Sequence, residues 1–356
     1  MSKLRIGVLF GGRSTEKEVS LNSGRHVFNM LDRSRFEPVA IFMDGDGRLW
    51  NIPLTLMLQN TTADVEARLS EADRVPYESL KERIDVAFLS TFGKYGEDGC
   101  LQGLLELLGI PYTGSSVLGA ALGSDKAMQR VLMVENPKIT IPPYLVMNLE
   151  SGIKNYGSAI TELLPIVVKP TREGSTMGVT VVKRFEDLEA AVKKAFEYDT
   201  KALVEPYLVG LEFSCVVLDG DPPMALPPTE TLHTDEIFSY HDKYMPGASK
   251  KITPARVSAE TLAEIQAMCV ETFVTLGFSG YARIDGFVLT EELRIPENAT
   301  FIANKPSYPI GTIFITDPNV FSGMAPSSWT FHQAAAVGIT PVQLLSRIID
   351  ASLPST

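Results

Sequence analysis

The chain has 356 residues, more than one ordinary domain holds, which predicts two or three domains. Apolar residues make up 45% and charged residues 21%, a globular balance that excludes a disordered or fibrous chain. The formal net charge of −11 argues against non-specific nucleic-acid binding, which needs a basic footprint, but leaves an anionic substrate open. Cys100, Cys215 and Cys269 show no CxxC spacing, so neither a disulfide framework nor a zinc site is expected. The opening MSKLRIGVLFGG turns glycine-rich too soon for a signal peptide. The longest uncharged run, 318–346, holds three prolines and does not read as a membrane span. The expectation is a cytoplasmic protein with no membrane and no nucleic-acid partner.

Residues 4–10 (LRIGVLF) predict a buried strand that Gly11 and Gly12 end. A helix follows over about 18–31, with Val19, Val27, Met30 and Leu31 on its apolar side. Strands at 39–43 and 84–89 and a helix at 101–108, ending at Gly109, continue the alternation. That order predicts a parallel sheet with helices on its faces. A new regime begins near Ser115, with helices at 124–134 and 185–197 flanking strands at 165–169, 178–183 and 202–205. A third follows Gly210, with strands at 211–218 and 282–289 and helices at 258–276 and 340–350. The Pro-rich stretches 222–228 and 306–309 read as loops. Residues 234–254 are polar with no clean period, and a long irregular loop inside a compact protein is often functional.

Four segments carry candidate chemistry. In GGRSTEKEVS (11–20) a strand enters two glycines and a helix leaves, so free backbone N–H groups face any small anionic ligand and Glu16 can face an ammonium. The same segment also reads as an ordinary turn with a solvated glutamate. It lacks full GxGxxG spacing, which weakens a dinucleotide reading. In VVKPTREGSTMG (167–178), Lys169 closes a strand before a loop with Gly174, Ser175 and Gly178. Such a loop can fold over a triphosphate, or it is a hairpin turn beside a surface lysine.

In YARIDGF (281–287) and ITDPN (315–319), Arg283 and Asp285 share one strand face, as do Asp317 and Asn319. Two carboxylates and an amide oxygen suit Mg²⁺ on nucleotide phosphates, and Arg283 can hold an oxyanion beside it. Solvated edge charges are the alternative. Glu297 and Asn298 are adjacent, so in a strand they point to opposite faces and suit a shared metal poorly. FSGMAPSSW (321–329) is a Gly/Ser-rich turn whose N–H groups can stabilise an oxyanion. His26, His233, His241 and His332 show no metal spacing and no GxSxG accompanies them, so zinc and serine-hydrolase chemistry are not expected.

In order, LFGGRSTEKEVSLNSG, GKYGEDGCLQGLLELLGIPYTGS, ALGSDKAMQR, VVKPTREGSTMGV, DKY, ARID and DPN…SGM resemble the D-alanine–D-alanine ligases of the ATP-grasp superfamily over nearly the whole chain. The resemblance implies an α/β fold: a Rossmann-like N-terminal domain (1–114) followed by central (115–209) and C-terminal (210–356) ATP-grasp domains of α+β type that clasp ATP. It implies that ATP phosphorylates one D-alanine carboxylate and that the amine of a second D-alanine attacks the acyl phosphate, giving the dipeptide of peptidoglycan precursors. It further implies Mg²⁺, two ions, with Mn²⁺ able to substitute, and a homodimer.

Residue by residue, the resemblance implies that Glu16 binds the first D-alanine's ammonium, linked to Ser175 and Tyr244, with Val19 beside it. Lys126, Lys169 and Lys243 then contact ATP phosphates, while Glu205 and Leu208 hold adenine and Glu212 the ribose. Arg283 and the Gly323 backbone stabilise the tetrahedral oxyanion, Ser328 binds the second D-alanine's carboxylate, and Asp285, Asp317 and Asn319 hold the metal. Closure of the long loop would exclude water.

Four departures stand out. Asp317 replaces the usual Glu, one methylene shorter. Phe92 replaces a His and cannot hydrogen-bond, Ser322 replaces a Pro, and residues 290–312 lengthen the link between the metal strands as an inserted loop or hairpin extension. Tyr244, a neutral phenol, matches the dipeptide-forming enzymes and favours D-alanine over D-lactate. Ligation to D-lactate or D-serine, or a non-catalytic ATP-binding descendant, are the alternatives, with a nicotinamide oxidoreductase more distant.

Overall fold

The computed structural model describes residues 3–148, 160–232, 250–296, 301–302 and 305–353. β1 (Leu4–Gly11) is a nearly continuous apolar run, buried on both faces inside the first sheet. It pairs in parallel with β2 (Phe36–Met43) and β5 (Val86–Leu89). The helix Lys17–Met30 makes the crossover. The sheet order is β4-β3-β2-β1-β5, and β3 (Leu49–Asn51) and β4 (Arg74–Val75) join antiparallel. The sheet is therefore mixed, not wholly parallel as the alternation predicts. Strands of three and two residues are too short to show a period of two.

The second sheet, in the order β6-β9-β7-β8, is antiparallel and comprises β6 (Leu145–Asn148), β7 (Ile166–Pro170), β8 (Thr180–Val182) and β9 (Lys201–Pro206). The helix Leu188–Phe196 covers it, and Val168, Val192 and Val204 share its small core. The third sheet has the order β13-β12-β10-β14-β17, with β11 paired to β10. Its strands are β10 (Gly210–Leu218), β11 (Met224–Ala225), β12 (Thr229–Leu232), β13 (Lys250–Ile252), β14 (Tyr281–Leu289) and, after the hairpin below, β17 (Ile313–Asn319). β15 (Leu293–Arg294) and β16 (Ser307–Tyr308) pair antiparallel within the lengthened link, which is thus a hairpin extension. The Pro-rich loop expected at 306–309 contains β16. Ile302 pairs with Tyr144 and Phe301 enters the core of the second sheet, so the extension ties that sheet to β14 and β17.

One apolar core runs from the first sheet (Ile6, Phe10, Phe88) into the third (Phe213, Ile284) and the helix Pro341–Ala351 (Leu344). No single helix among the described residues is long and apolar enough to cross a membrane.

β14 and β17 carry a register shift just after Asp285, at Gly286. A Cβ on Gly286 would lie 2.2 Å from the Phe314 carbonyl oxygen and 2.5 Å from Phe213. The backbones can approach this closely only because no side chain intervenes. We predict that Gly286→Ala costs about 1–3 kcal/mol of stability through overpacking, read as a lower denaturant midpoint. A midpoint equal to the wild type would refute the close-approach argument.

Candidate active site

β1 ends at Gly11, whose φ of +90° and Cβ position 2.4 Å from the Met43 carbonyl oxygen admit only glycine. The chain then turns into the helix Lys17–Met30. Gly11 N–H donates to Ser20 Oγ (2.8 Å), and Ser20 Oγ donates to the Ser90 carbonyl (2.6 Å), which fixes the ends of β1 and β5 together. Glu16 sits at the helix start and is buried, with buried Val19 one turn on. Ser175 Oγ, from the loop after β7, donates to Glu16 Oε1. Lys94 Nζ meets Glu173 Oε1 at 2.7 Å alongside. Two contacts thus join the first sheet's loops to the second sheet's loop. Ser175 and Thr176 have φ of 48° and 63°, so this loop follows a left-handed path.

A cavity of about 330 Å³ lies between the second and third sheets. Eight of the sequence-selected residues line it: Lys126, Lys169, Ser175, Glu205, Leu208, Glu212, Asp285 and Asp317. Lys169 Nζ bonds Glu205 Oε2 at 2.7 Å, and Arg130 Nε bonds Glu205 Oε1 at 2.6 Å. Burial alone would push the Glu205 carboxyl up, but Arg130 and Lys169 outweigh it and hold the group below its ordinary range. Arg130 also donates to the Thr316 carbonyl (2.5 Å) on β17, so one buried guanidinium links the Glu205 wall to β17. Sequence reasoning missed Arg130. The available signal was its i,i+4 relation to Lys126, which puts both on one face of the helix Lys126–Val134.

The pairing of β14 with β17 sets Arg283 opposite Asn319 and Asp285 opposite Asp317. Like charges facing across strands repel unless cations intervene. Here Lys126 Nζ lies 3.3 Å from Asp317 Oδ1, and Arg283 Nη2 lies 2.9 Å from Asp285 Oδ2. Ser214 Oγ donates to Asp285 Oδ1 at 2.7 Å, and Asn319 Nδ2 donates to Asp285 Oδ2 at 3.2 Å. Asp285 and Asp317 face the cavity with carboxylate oxygens, which fit a hard divalent cation, while the Asn319 amide N–H also donates to the Asp317 carbonyl at 2.7 Å. Among the described residues no cluster of three His, Cys, Asp or Glu competes as a metal site.

In the turn after β17, Ser328 Oγ lies 3.2 Å from the Cβ position of Gly323, so the two face the same spot. Ser328 heads the helix Trp329–Ala336 without spending its hydroxyl on a cap bond. Ser322 is buried and its Oγ accepts from Thr330 Oγ1 at 2.6 Å. Phe92 buries its ring in the main core, and only its carbonyl reaches the site loop, accepting from Ser14 Oγ at 2.6 Å. Lys243, Tyr244, Glu297 and Asn298 lie outside the described residues.

Glu97 is a second residue that sequence reasoning missed. Its Oε2 accepts from Gly93 N–H at 2.8 Å. Burial, with the Glu16 charge adding, pushes its carboxyl up to about 8.

A cleft between two antiparallel sheets, with buried cations on one wall and paired carboxylates on the other, defines an ATP-grasp protein. The family models described as D-ala D-ala ligase N-terminus and C-terminus match residues 5–115 and 133–301. The chain is 34% identical to the D-alanine–D-alanine ligase of Pelotomaculum thermopropionicum, covering 98% of this chain and 97% of that one. It is 36% identical to that of Syntrophobacter fumaroxidans, covering 99% and 98%. The structure matches the VanG D-Ala:D-Ser ligase of Enterococcus faecalis with a TM-score of 0.82 at 29% identity, covering 99% of this chain and 100% of that one. It matches the D-alanine–D-alanine ligase of Coxiella burnetii at 0.80 and 25%, covering 99% and 94%. The chain belongs to the D-alanine–D-alanine ligase family.

The Glu97 environment sets a pH dependence. A carboxyl whose folded value is raised contributes stability that is full below its unfolded value and is lost as pH rises through the folded value. The window runs from about 4.5 to about 8. Wild-type melting temperature should therefore fall across that window. In Glu97→Gln the fall should be smaller by several degrees, and identical pH profiles would contradict the burial argument.

Proposed function

We infer that this protein ligates two D-alanines to D-alanyl-D-alanine with cleavage of ATP to ADP and phosphate, for peptidoglycan precursor synthesis. Convergence of the eight lining residues on one cavity, adjoining the Glu16–Ser175 contact, carries this reading.

Lys126 and Lys169, with Lys243, hold the phosphates. Lys169 is fixed for this by Glu205, which Arg130 fixes in turn. Glu205 keeps further lone pairs for the adenine amino group, Leu208 packs the base and Glu212 holds the ribose. Asp285, Asp317 and Asn319 would hold Mg²⁺, two ions, or Mn²⁺. Divalent cations bound there screen the phosphate charge. Glu16 takes the first D-alanine's ammonium, oriented by Ser175 and Tyr244, with Val19 at its side. Arg283 and the Gly323 N–H face the oxyanion that develops when the second D-alanine's amine attacks the activated carboxyl. Ser328 takes the second carboxylate. Catalysis on this account is positioning and charge stabilisation. We assign residues 1–114, 115–209 and 210–356 to three domains and take the enzyme to act in the cytoplasm as a homodimer.

Phosphate release from ATP and Mg²⁺, with the product identified by mass, tests the reading. The expected result is D-alanine-dependent release with D-alanyl-D-alanine formed. Asp317→Ala should cut it by about a hundredfold or more, the scale of losing a group that stabilises transition-state charge. D-Serine and D-lactate, offered as competing acceptors, should be used less well. ATP binding with no turnover on any acceptor would refute the reading.

A further inference from the structure

None of the roles above uses Lys251, at the middle of β13. Its Nζ donates to the Ser327 carbonyl at 2.7 Å and lies 4.2 Å from the Trp329 ring centroid. The Arg283 guanidinium lies over the same ring at 5.2 Å. Trp329 follows Ser328 directly, is buried, and is held by Nε1–H donation to Thr231 Oγ1 (3.3 Å) on β12. Two cations therefore converge on one fixed indole beside the serine and glycine that the ligase reading gives to the acceptor.

Arg283 has Asp285 as its partner. Among the described residues, Lys251 Nζ meets a carbonyl and a ring but no carboxylate within ion-pair distance. Cation–π contact and one carbonyl compensate a half-buried ammonium only in part. Burial first, and then Arg283, push Lys251 down to about 8. An ammonium held where its charge is disfavoured is stabilised by an anion that arrives. In a D-alanine-ligating site the anion that arrives beside Ser328 is the acceptor's own carboxylate.

We propose that Lys251 is a carboxylate-binding residue of the acceptor subsite, which with Ser328 selects acceptors bearing an α-carboxylate. The proposal rests on the ligase reading. It differs from a purely structural role for Lys251, in which the ammonium only braces Trp329.

Initial rates with D-alanine separate donor and acceptor KM values, and melting temperatures check folding. Lys251→Met should raise the acceptor KM about tenfold or more, the scale of one lost charge-assisted hydrogen bond, while donor and ATP KM values stay put. Lys251→Arg should recover most of the loss, because it keeps the cation. Lys251→Gln replaces the Met variant if the latter misfolds. An acceptor KM within twofold of wild type, or donor and acceptor KM values rising in parallel, would overturn the assignment and leave the ligase reading standing. A wild-type protein that forms no dipeptide would overturn both.

Discussion

The pairing of β14 with β17 is the constraint on which the site depends. It puts two aspartates face to face, an arrangement that ordinary strand pairing disfavours. Two cations offset it, Lys126 from the helix Lys126–Val134 and Arg283 from β14 itself. Because Lys126 also donates to the Glu173 carbonyl at 2.9 Å, the same charge draws the loop after β7 towards β17. That loop in turn carries Ser175 to Glu16. A line of contacts therefore runs from the third sheet through the second to the first.

The second wall of the cleft is organised around one carboxylate. Glu205 holds Lys169 with one oxygen and Arg130 with the other, and Arg130 reaches on to β17. Breaking a buried pair of this kind leaves an uncompensated charge, so each member fixes the others. Cations and carboxylates alternate around the cleft, so each buried charge has an opposite partner close by. The lengthened link between β14 and β17 does not loosen this arrangement. Its hairpin and the Ile302–Tyr144 bridge pin it back on the second sheet.

Long, strongly apolar elements were legible in the sequence. β1 was readable as a buried run, and the pairs Arg283/Asp285 and Asp317/Asn319 were placed on common faces by the two-residue strand period alone. Short elements were not. β3, β4 and β16 span two or three residues and carry no period, so the first sheet read as wholly parallel and 306–309 as a loop. The helix Trp329–Ala336 lies inside an uncharged run with little contrast between its faces, so nothing marked it. Arg130 and Glu97 escaped notice for a different reason. An Arg on a helix and a Glu beside an Asp both look like solvated charge until tertiary packing buries the first and half-buries the second. Phe92 shows the converse: a residue flagged by position turned out to spend its side chain on the core.

The most direct test of this account is calorimetric binding of ADP with and without Mg²⁺ to wild type and Asp317→Ala. The facing aspartates predict that Mg²⁺ tightens ADP binding to wild type by about tenfold or more. They predict that this gain vanishes in Asp317→Ala while metal-free ADP binding stays within a few-fold of wild type. A full Mg²⁺ effect retained by Asp317→Ala would contradict the account, because the β14–β17 pairing would then not be what holds the metal.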